Sequence, residues 1–547
     1  MNEAAHNSGG GERRQEESFV RSAGVISALT LLSRLLGVAR DVICAAVFGA
    51  GMVWDAFSFA FRVPNLFRRL LGEGALSAAF VPVLSEYLER RTAEEAEQFS
   101  GRVAGALLTV LTALTILGEA LVLLLMATVD LTGQWRLALL LTAVLLPYMI
   151  FICLTALAGA ALHCLRHFAA PALAPVVLNA CWILAVAAVG PHVSDDPRVR
   201  VYVLAGAILA GGVLQLLLQV VVLRARGFRV RLMLRPWHPQ VRRVVASMAP
   251  VALGMAAFQA NAFLDGVIAL SLAAPAGRET FRLLGGVFHY PMVLGANSVL
   301  YYANRLMQAP LGIFGIALAT AVFPTLSRQA ARGDHGAFAR TVLRGLGLVI
   351  FVGLPAGAGL IVLRRPIIAL LFQRGAFTAP MAERTAHVLV FYSLGIWAYC
   401  ALHVLTRAFY GLGCPAVPAK VAAAAVGLNL ALNLTLVWPL GAAGLAASTA
   451  ACAALQVAAL TLLLSRRVPL TGIGRLVGAT WRTVLAGAVA VGAAWLALQL
   501  TPAASRELGV KLVRALAPAA AGGMGYVLAA AALGTEELSL LLSALRR

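Results

Sequence analysis

The sequence predicts an all-α polytopic membrane protein of about 14 transmembrane helices: two parallel-related six-helix lobes plus two extra C-terminal helices. Three observations carry that prediction. Of 547 residues, 61% are hydrophobic and 12% charged, with a mean hydropathy of +0.87, whereas soluble domains run at about 45–50% apolar and about 25% charged. Apolar runs of the roughly 20 residues needed to cross a bilayer recur from about residue 23 to about residue 534. One stretch also occurs twice: Ala75–Ser85 (ALSAAFVPVLS) and Ala317–Ser327 (ALATAVFPTLS) agree at six of eleven positions, 242 residues apart.

Residues 1–22 are polar and charged at their start, with no hydrophobic segment of signal-peptide type, and read as a solvated cytoplasmic tail. The N-terminal lobe, 23–223, holds spans near 23–50, 53–86, 101–128, 135–162, 169–190 and 200–223. Residues 224–245 form a basic linker with seven arginines from Arg224 to Arg243 and no acid, expected to lie on the cytoplasmic surface as a basic amphipathic segment. The C-terminal lobe, 246–464, holds spans near 246–274, 296–327, 339–363, 383–410, 416–438 and 442–464. Two further spans, 475–500 and 509–534, complete the chain within 465–547. Spans one, two and eight carry internal charge and are expected to stand out least from their hydropathy alone.

A weaker echo pairs the Pro171/Pro175 region before span five with the Pro415/Pro418 region before span eleven. Six spans separate the matched elements, so the two halves point the same way. Parallel repeats are a transporter architecture in which the substrate path runs between the halves. Arginine asymmetry sets the orientation. The even-numbered loops hold Arg90 and Arg91, Arg166, the linker arginines, Arg328 and Arg332, and Arg466 and Arg467, whereas odd-numbered loops hold Asp130, Asp195 and Asp196. Both termini are therefore expected in the cytoplasm. Arg364, Arg365 and Arg374, after span nine, run against the rule.

Several chemistries find no footing. Seven isolated cysteines form no CxxC pair, and the lysines, Lys420 and Lys511, sit in no phosphate loop. His163 and His167 are four residues apart at a helix end beside Arg166 and read as interfacial polar residues rather than a metal site. No catalytic residue, metal site or nucleic-acid partner is expected.

The net charge of +21 (44 basic, 23 acidic residues) is then the feature to explain. Most of it lies in loops, where it fixes orientation and meets anionic membrane lipids. The remainder lies inside the spans: Arg34, Arg40 and Asp41 in span one, then Asp55, Arg62, Asn65, Arg68, Arg69 and Glu73 in span two. A charge at such depth costs about 2.5–3.5 kcal/mol and generally faces a bundle interior or an aqueous cavity. Pro64 and Gly72-Glu73-Gly74 should break or bend span two. Snorkelling to the interface is the alternative for Arg62, Arg68 and Arg69, and pairing with Asp41 is open for span one. Excess cationic charge in a cavity needs an anion, and the guanidinium fork suits phosphate. Arg305 in span eight adds another cation. The second lobe also offers oxygens: Asp265, then Asn429 and Asn433 at i, i+4, and Thr449. They suit Na⁺ or a coupling proton, or equally hydrogen bonds between helices.

Five ordered segments, SRLLGVARD (33–41), FGAGMVWDAF (48–57), PNLFRRLLGEGALSAAFVPVL (64–84), YYANRLMQAPLGIFGIALAT (301–320) and LFQRGAFT (371–378), resemble the MurJ (MviN) lipid II flippases of the multidrug/oligosaccharidyl-lipid/polysaccharide exporter superfamily. The resemblance implies alternating access by rocking of the lobes, carrying lipid II (the undecaprenyl-pyrophosphate-linked peptidoglycan precursor) from the cytoplasmic to the outer leaflet of the bacterial inner membrane. It implies that Arg34, Arg40, Arg68 and Arg305 line the central cavity, that Asp55 and Glu73 are commonly charged positions, and that the last two spans make a groove for the lipid tail; those four arginines with Asp55, Arg62, Asn65 and Glu73 are the candidate substrate-binding residues. It implies no ATP and no cofactor beyond a coupling ion or the membrane potential, and peptidoglycan synthesis enzymes as further partners. Two departures stand out. Asn304 and Gln308 replace the family's usual acids beside the span-eight arginine, and 275–295 reads as an insertion. The rival readings are a flippase for another polyprenyl-linked glycan, which would lack this motif set; a cation-coupled drug antiporter, which favours an acidic and aromatic cavity; and a membrane scaffold, which has no use for buried arginines.

Overall fold

The structure is a computed structural model that describes residues 4–70, 75–234, 238–275, 277–283, 286–503, 505 and 507–545. The chain divides into two compact units, Met1–Phe48 with Ala56–Gln259, and Gly49–Asp55 with Ala260–Arg547. The division falls inside a helix, after Gln259, and not in the 224–245 linker.

The first unit contains α1 (Ala4–Phe48), most of α2 (Met52–Phe67), α3 (Ala75–Arg90), α4 (Ala93–Thr128), α5 (Gly133–Leu145), α6 (Tyr148–Cys164) and α7 (Ala169–Leu184). A π-helical turn, Ala185–Val189, leads into α8 (Gly190–Val193), followed by α9 (Pro197–Ala225) and the start of α10 (Pro239–Ser271). The helical backbone of α1 begins at Ala4, so no break separates the polar tail from span one. Span two does break. Its helix carries through Pro64 and ends at Phe67, residues 68–70 are π-helical, and α3 starts at Ala75. Glu73 lies outside the described residues. Span four is a pair, α5 and α6, bent by 42° at Leu146-Pro147, where proline cannot donate to the preceding turn.

After the rest of α10, the second unit contains four short strands, β1 (Ala273–Ala274), β2 (Thr280–Leu283), β3 (Gly286–His289) and β4 (Met292–Val293). Then come α11 (Ala296–Pro310), a π-helical stretch Leu311–Ile316, α12 (Ala317–Ala331), α13 (His335–Leu371), α14 (Ala379–Leu394), α15 (Ile396–Gly411), α16 (Ala416–Leu440) and α17 (Ala442–Ser465). Three helices follow: α18 (Ile473–Leu500), α19 (Leu508–Ala532) and α20 (Glu536–Leu545).

The sequence repeat has a structural counterpart. α3 begins at Ala75 and α12 at Ala317, the first residues of the two copies, and each follows a π-helical segment. In the first unit α3 packs on α4 and α6, α4 on α5 and α6, and α9 on α5, α6 and α7; in the second, α12 packs on α13 and α15, α13 on α14 and α15, and α17 on α14, α15 and α16. One set of helix neighbours is therefore used twice. α18 and α19 pack against α13, where the Tyr526 hydroxyl donates to the Phe351 carbonyl at 2.5 Å.

Among the described residues ten helices are long and apolar enough to cross a membrane, and the bent α5–α6 pair makes an eleventh span. Adding α1, α2–α3 and α10 gives a total consistent with fourteen. Span eight is among the ten despite its arginine, contrary to the expectation from its charge. The arginines that break the charge rule are tied down: inside α13, Arg365 bonds Glu383 at 2.6 Å and Arg364 donates to the Ile361 carbonyl, and just past its end Arg374 donates to the Leu370 carbonyl. Carbonyls left over in the last turn of α13 favour cations at that place.

The linker meets expectation over one part only. Residues 239–245 open α10 with Val241 and Val244 buried and Arg242 and Arg243 exposed, an amphipathic pattern, whereas residues 228–234 run without regular secondary structure along α4. The Arg229 amide donates to the Glu97 carboxylate at 2.7 Å, the Met233 amide to the Gly101 carbonyl at 3.2 Å, and Phe228 is buried. Glycine makes the approach possible. A Cβ at Gly101 would lie 1.9 Å from the Arg231 carbonyl oxygen, and one at Gly105 would lie 2.2 Å from that of Met233. Gly105→Leu is therefore expected to lift the linker off α4, and limited trypsin digestion should cut at Arg229 and Arg231 several-fold faster. Gly206→Leu, where an added Cβ meets nothing within 4 Å, should leave the digestion pattern unchanged. Identical patterns for both variants and the native chain would contradict this packing.

Candidate functional site

In the first unit the cations of span one take two different environments. Arg40 is 7% exposed, and its guanidinium is fully engaged: Nε and Nη2 donate to Asp41 Oδ1 at 3.0 and 2.8 Å, and Nη1 donates to Asn179 Oδ1 at 3.0 Å. The guanidinium lies 4.5 Å from the centroid of Trp182, whose indole donates to Cys44 Sγ at 3.0 Å. Asn179 also donates to the Ser33 carbonyl at 3.1 Å. This cluster ties α1 to α7, and the ion pair is neutral overall. The internal pairing left open by the sequence is thus made, by Arg40 rather than Arg34. Arg34, two turns earlier on α1, is exposed and has no hydrogen bond or ion pair among the described residues.

Span two places Arg62, Asn65, Arg68 and Arg69 half-buried. Arg68 Nε donates to Asn65 Oδ1 at 2.9 Å, an i, i+3 contact that aims the guanidinium along the helix, and Arg69 Nη1 donates to Gln259 Oε1 at 3.3 Å.

In the second unit, Asp55 takes a role the sequence did not reveal. It is fully buried, and its carboxylate accepts from the Gly295 amide at 2.7 Å, the Ser298 amide at 2.7 Å and the Ser298 hydroxyl at 2.6 Å. Those amides open α11, whose N-cap residue, Gly295, has no side chain with which to cap. Asp55 supplies the missing acceptor from 240 residues away, with the negative charge placed where the helix dipole favours it. Asn297 Nδ2 donates to the Asp55 backbone carbonyl at 3.1 Å. The expected contact with substrate is thereby replaced by a helix-capping role. Gly295 is required twice over: its φ is +95°, and a Cβ there would stand 2.0 Å from the Ala50 carbonyl oxygen.

Aromatic packing completes this assembly. Trp54 stacks on Tyr302 at 6.2 Å, and Tyr302 meets Phe372 at 4.8 Å and Phe377 at 5.3 Å. Three of the five ordered segments, 48–57, 301–320 and 371–378, therefore converge. Arg305 is exposed on α11, 5.6 Å from the Tyr301 ring centroid. Asn304 and Gln308 bond one another through Nε2 and Oδ1, a neutral pair beside that cation.

The oxygen cluster is partly assembled. Asn433 Nδ2 donates to Asp265 Oδ1 at 2.6 Å and to Asn429 Oδ1 at 3.0 Å, while Asn433 Oδ1 is buried with no hydrogen-bond partner among the described residues. Thr449 is not joined to the three by a hydrogen bond; its hydroxyl donates to the Leu445 carbonyl one turn back. The two units share a device here, an ionisable residue of the first span bonded to an asparagine of the fifth. At the end of α6, His163 stacks on Phe168, and Arg226 Nη2 lies 2.9 Å from His167 Nδ1. Burial first, and Arg226 second, push His167 below the ordinary imidazole range. All seven cysteines are free thiols.

A twice-used six-span packing pattern with cations on membrane-embedded helices defines a multi-pass membrane transporter. Residues 44–509 match the family model for the lipid II flippase MurJ. The chain is 35% identical over 491 residues to a probable lipid II flippase MurJ of Vibrio cholerae, covering 87% of this chain and 88% of that one. It is 32% identical over 545 residues to a probable lipid II flippase MurJ of Rhizobium meliloti, covering 97% of each. The chain belongs to the MurJ lipid II flippase family. In fold it is similar to a solved lipid II flippase MurJ in an inward closed conformation (TM-score 0.72, 24% identity, 95% of this chain and 99% of that one). It is also similar to an inward-facing multidrug resistance MATE transporter of the MOP superfamily (TM-score 0.64, 15% identity, 84% and 99%).

Two sets of substitutions follow from the geometry. Arg40→Ala strands a buried carboxylate and is expected to cost about 3–5 kcal/mol, the range for breaking a buried ion pair, whereas Arg34→Ala should stay within about 0.5 kcal/mol. Asp55→Ala should cost about 1–3 kcal/mol by orphaning buried donors, and Asp55→Asn less, because its amide oxygen still accepts. Thermal unfolding of the purified protein checks both orders, and equal effects within either pair would contradict these roles.

Proposed function

We propose that this protein flips lipid II across the bacterial inner membrane, from the cytoplasmic to the outer leaflet, by exposing a cation-lined path alternately to the two sides. The observation that carries this reading is the match of residues 44–509 to the lipid II flippase family, supported by the arginines set within the spans. In this reading Arg34, Arg68 and Arg305, with Arg62 as an auxiliary cation, receive the pyrophosphate, whose paired charges suit guanidinium forks. Arg40 acts as a positioning residue: its bonds to Asp41 and Asn179 fix the helix that presents Arg34. The polyprenyl chain stays in hydrocarbon along α18 and α19, whose exposed faces carry Val477, Leu496, Leu516 and Leu528. Both termini lie in the cytoplasm, as the arginine distribution argues. Anionic lipids meet the loop arginines, and peptidoglycan synthesis enzymes are the partners that such a substrate implies.

Asp265, Asn429 and Asn433 are proposed to hold the coupling cation, Na⁺ or a proton. The amide of Asn433 now fills the point where two other oxygens converge. Turned by 180°, it would bring a third oxygen there, giving the oxygen-rich, singly charged donor set that a hard cation takes. Thr449, whose hydroxyl donates to the Leu445 carbonyl and keeps its lone pairs, is the further oxygen of the proposed set. Asn304 and Gln308 stand where the family usually has acids, so neither position offers a carboxyl for proton-linked or ion-pair gating beside Arg305.

In cells depleted of their own flippase, the native chain is expected to restore growth and outer-leaflet accessibility of lipid II, and Arg34→Ala and Arg305→Ala to abolish both at normal expression. Survival of both variants would remove these arginines from the site, and failure of the native chain would overturn the substrate. Sodium chloride, compared with choline chloride, should raise the unfolding temperature of the native protein and not that of Asp265→Asn. If it shifts neither, the cation is not Na⁺ at this site, and the lipid II reading is untouched.

A further inference from the structure

The insertion between α10 and α11 is a small β-structure with a two-sided design. β1 pairs in parallel with β4, closing the base, and β2 pairs antiparallel with β3. Directly paired residues share a face of an antiparallel ladder, so the Phe281–Phe288 pair lies on one face. The Thr280–His289 and Arg282–Val287 pairs lie on the other. The aromatic face rests on Trp438 near the end of α16: Phe281 stacks on it at 6.4 Å and Phe288 meets it at 6.1 Å, while Tyr290 packs on Phe281 at 4.8 Å. The base sits against the α16–α17 turn, where a Cβ on Gly441 would lie 2.9 Å from the Pro291 carbonyl oxygen.

The placement of Trp438 on α16 gives this cluster its surroundings. Asn429, Asn433 and Val437 form the buried face of that helix, and Ala431, Leu434, Thr435 and Trp438 are exposed. On a membrane span, an exposed and largely apolar face is the one that meets lipid. Trp438 is therefore the last element of a lipid-facing stripe, at the end of a span, which is the depth that tryptophan prefers. Beyond the helix, Phe288 (43% exposed) extends the stripe from Trp438 (46% exposed). Arg278, just before β2, and Arg282, on the other face of the ladder, are exposed, with no ion-pair partner among the described residues.

We propose that the 275–295 insertion is an interfacial anchor, with Phe288 and Trp438 seated at the headgroup–acyl boundary of a phospholipid leaflet and Arg278 on the lipid phosphates. The aromatic ring tips occupy the boundary where an apolar body and a polar surround are both available. The arginine adds attraction to an anionic surface. β4 ends two residues before Gly295, so the anchor fixes the segment whose amide caps onto Asp55. On the arginine-based orientation the leaflet is the outer one; the anchor itself does not depend on that assignment.

The test uses the full chain in vesicles of phosphatidylethanolamine and radiolabelled phosphatidylglycerol, with the photo-crosslinker p-benzoylphenylalanine in place of Phe288, Trp438 or Thr280. Irradiation is expected to attach labelled phospholipid at 288 and at 438 at least about five-fold more than at 280, on the opposite face, as interfacial depth requires. Capture at 438 without capture at 288 would overturn the proposal by showing the hairpin clear of the bilayer. So would capture at 288 no greater than at 280. With a lipid-linked disaccharide added to the vesicles, its preferential capture at 288 would reassign the aromatic face to a sugar platform and equally overturn the anchor.

Discussion

A charge inside hydrocarbon must be matched by another charge, by hydrogen bonds or by water, and the rest of this structure depends on how each intramembrane ion meets that demand. Arg40 is matched by Asp41, Asn179 and the face of Trp182. Asp55 is matched by two backbone amides and a hydroxyl at the start of α11. Asp265 is matched by an amide of Asn433. Each of these also joins segments far apart in sequence, so satisfying the ion and holding the fold are one act. Arg34 differs: it is exposed on α1 with no hydrogen bond or ion pair among the described residues, and an exposed guanidinium on a membrane span requires an anion or water; Arg305 is also exposed on its helix. That contrast separates residues that build the transporter from residues that would meet its cargo.

The same demand applies to the backbone. Where span two breaks between α2 and α3, and where α11 passes through a π-helical stretch into α12, the regular ladder is interrupted at matching places in the two units. Interrupted helices are tolerated at membrane depth where they line protein or a watered path, and a transporter that has to change shape gains its joints there. The linker solves a related problem differently. Its extended chain presents open amides to α4, and the Gly101 carbonyl and Glu97 carboxylate accept from those of Met233 and Arg229.

Much of the architecture was legible in the sequence. Apolar runs gave the spans, the ALSAAFVPVLS repeat matched span two to span eight, and the ordered arginine motifs gave the family. What stayed hidden depends on long-range pairing. Nothing in local periodicity says that Asp55 caps a helix 240 residues later, because a buried cap and a cavity-facing acid look alike along one span. Arg40 and Arg34 were likewise equivalent in sequence, and only Asn179, a lone amide in the apolar run of span five, could have hinted which would be bonded. In the linker, 239–245 is the amphipathic helix its arginines suggest, but nothing in 228–234 shows that this stretch lies extended on α4, because the glycines that receive it belong to a different helix. The insertion at 275–295 gave no functional signal until Phe281 and Phe288 were placed in register and set against Trp438.

The central claim, that exposed arginines on membrane spans receive a lipid pyrophosphate, is tested most directly by equilibrium binding of undecaprenyl pyrophosphate and undecaprenyl monophosphate to the purified protein. The account predicts that the native chain prefers the pyrophosphate, and that Arg34→Gln with Arg305→Gln loses that preference while its unfolding temperature is unchanged. Equal affinity of the native chain for the two lipids, or an intact preference in the doubly substituted chain, would contradict it.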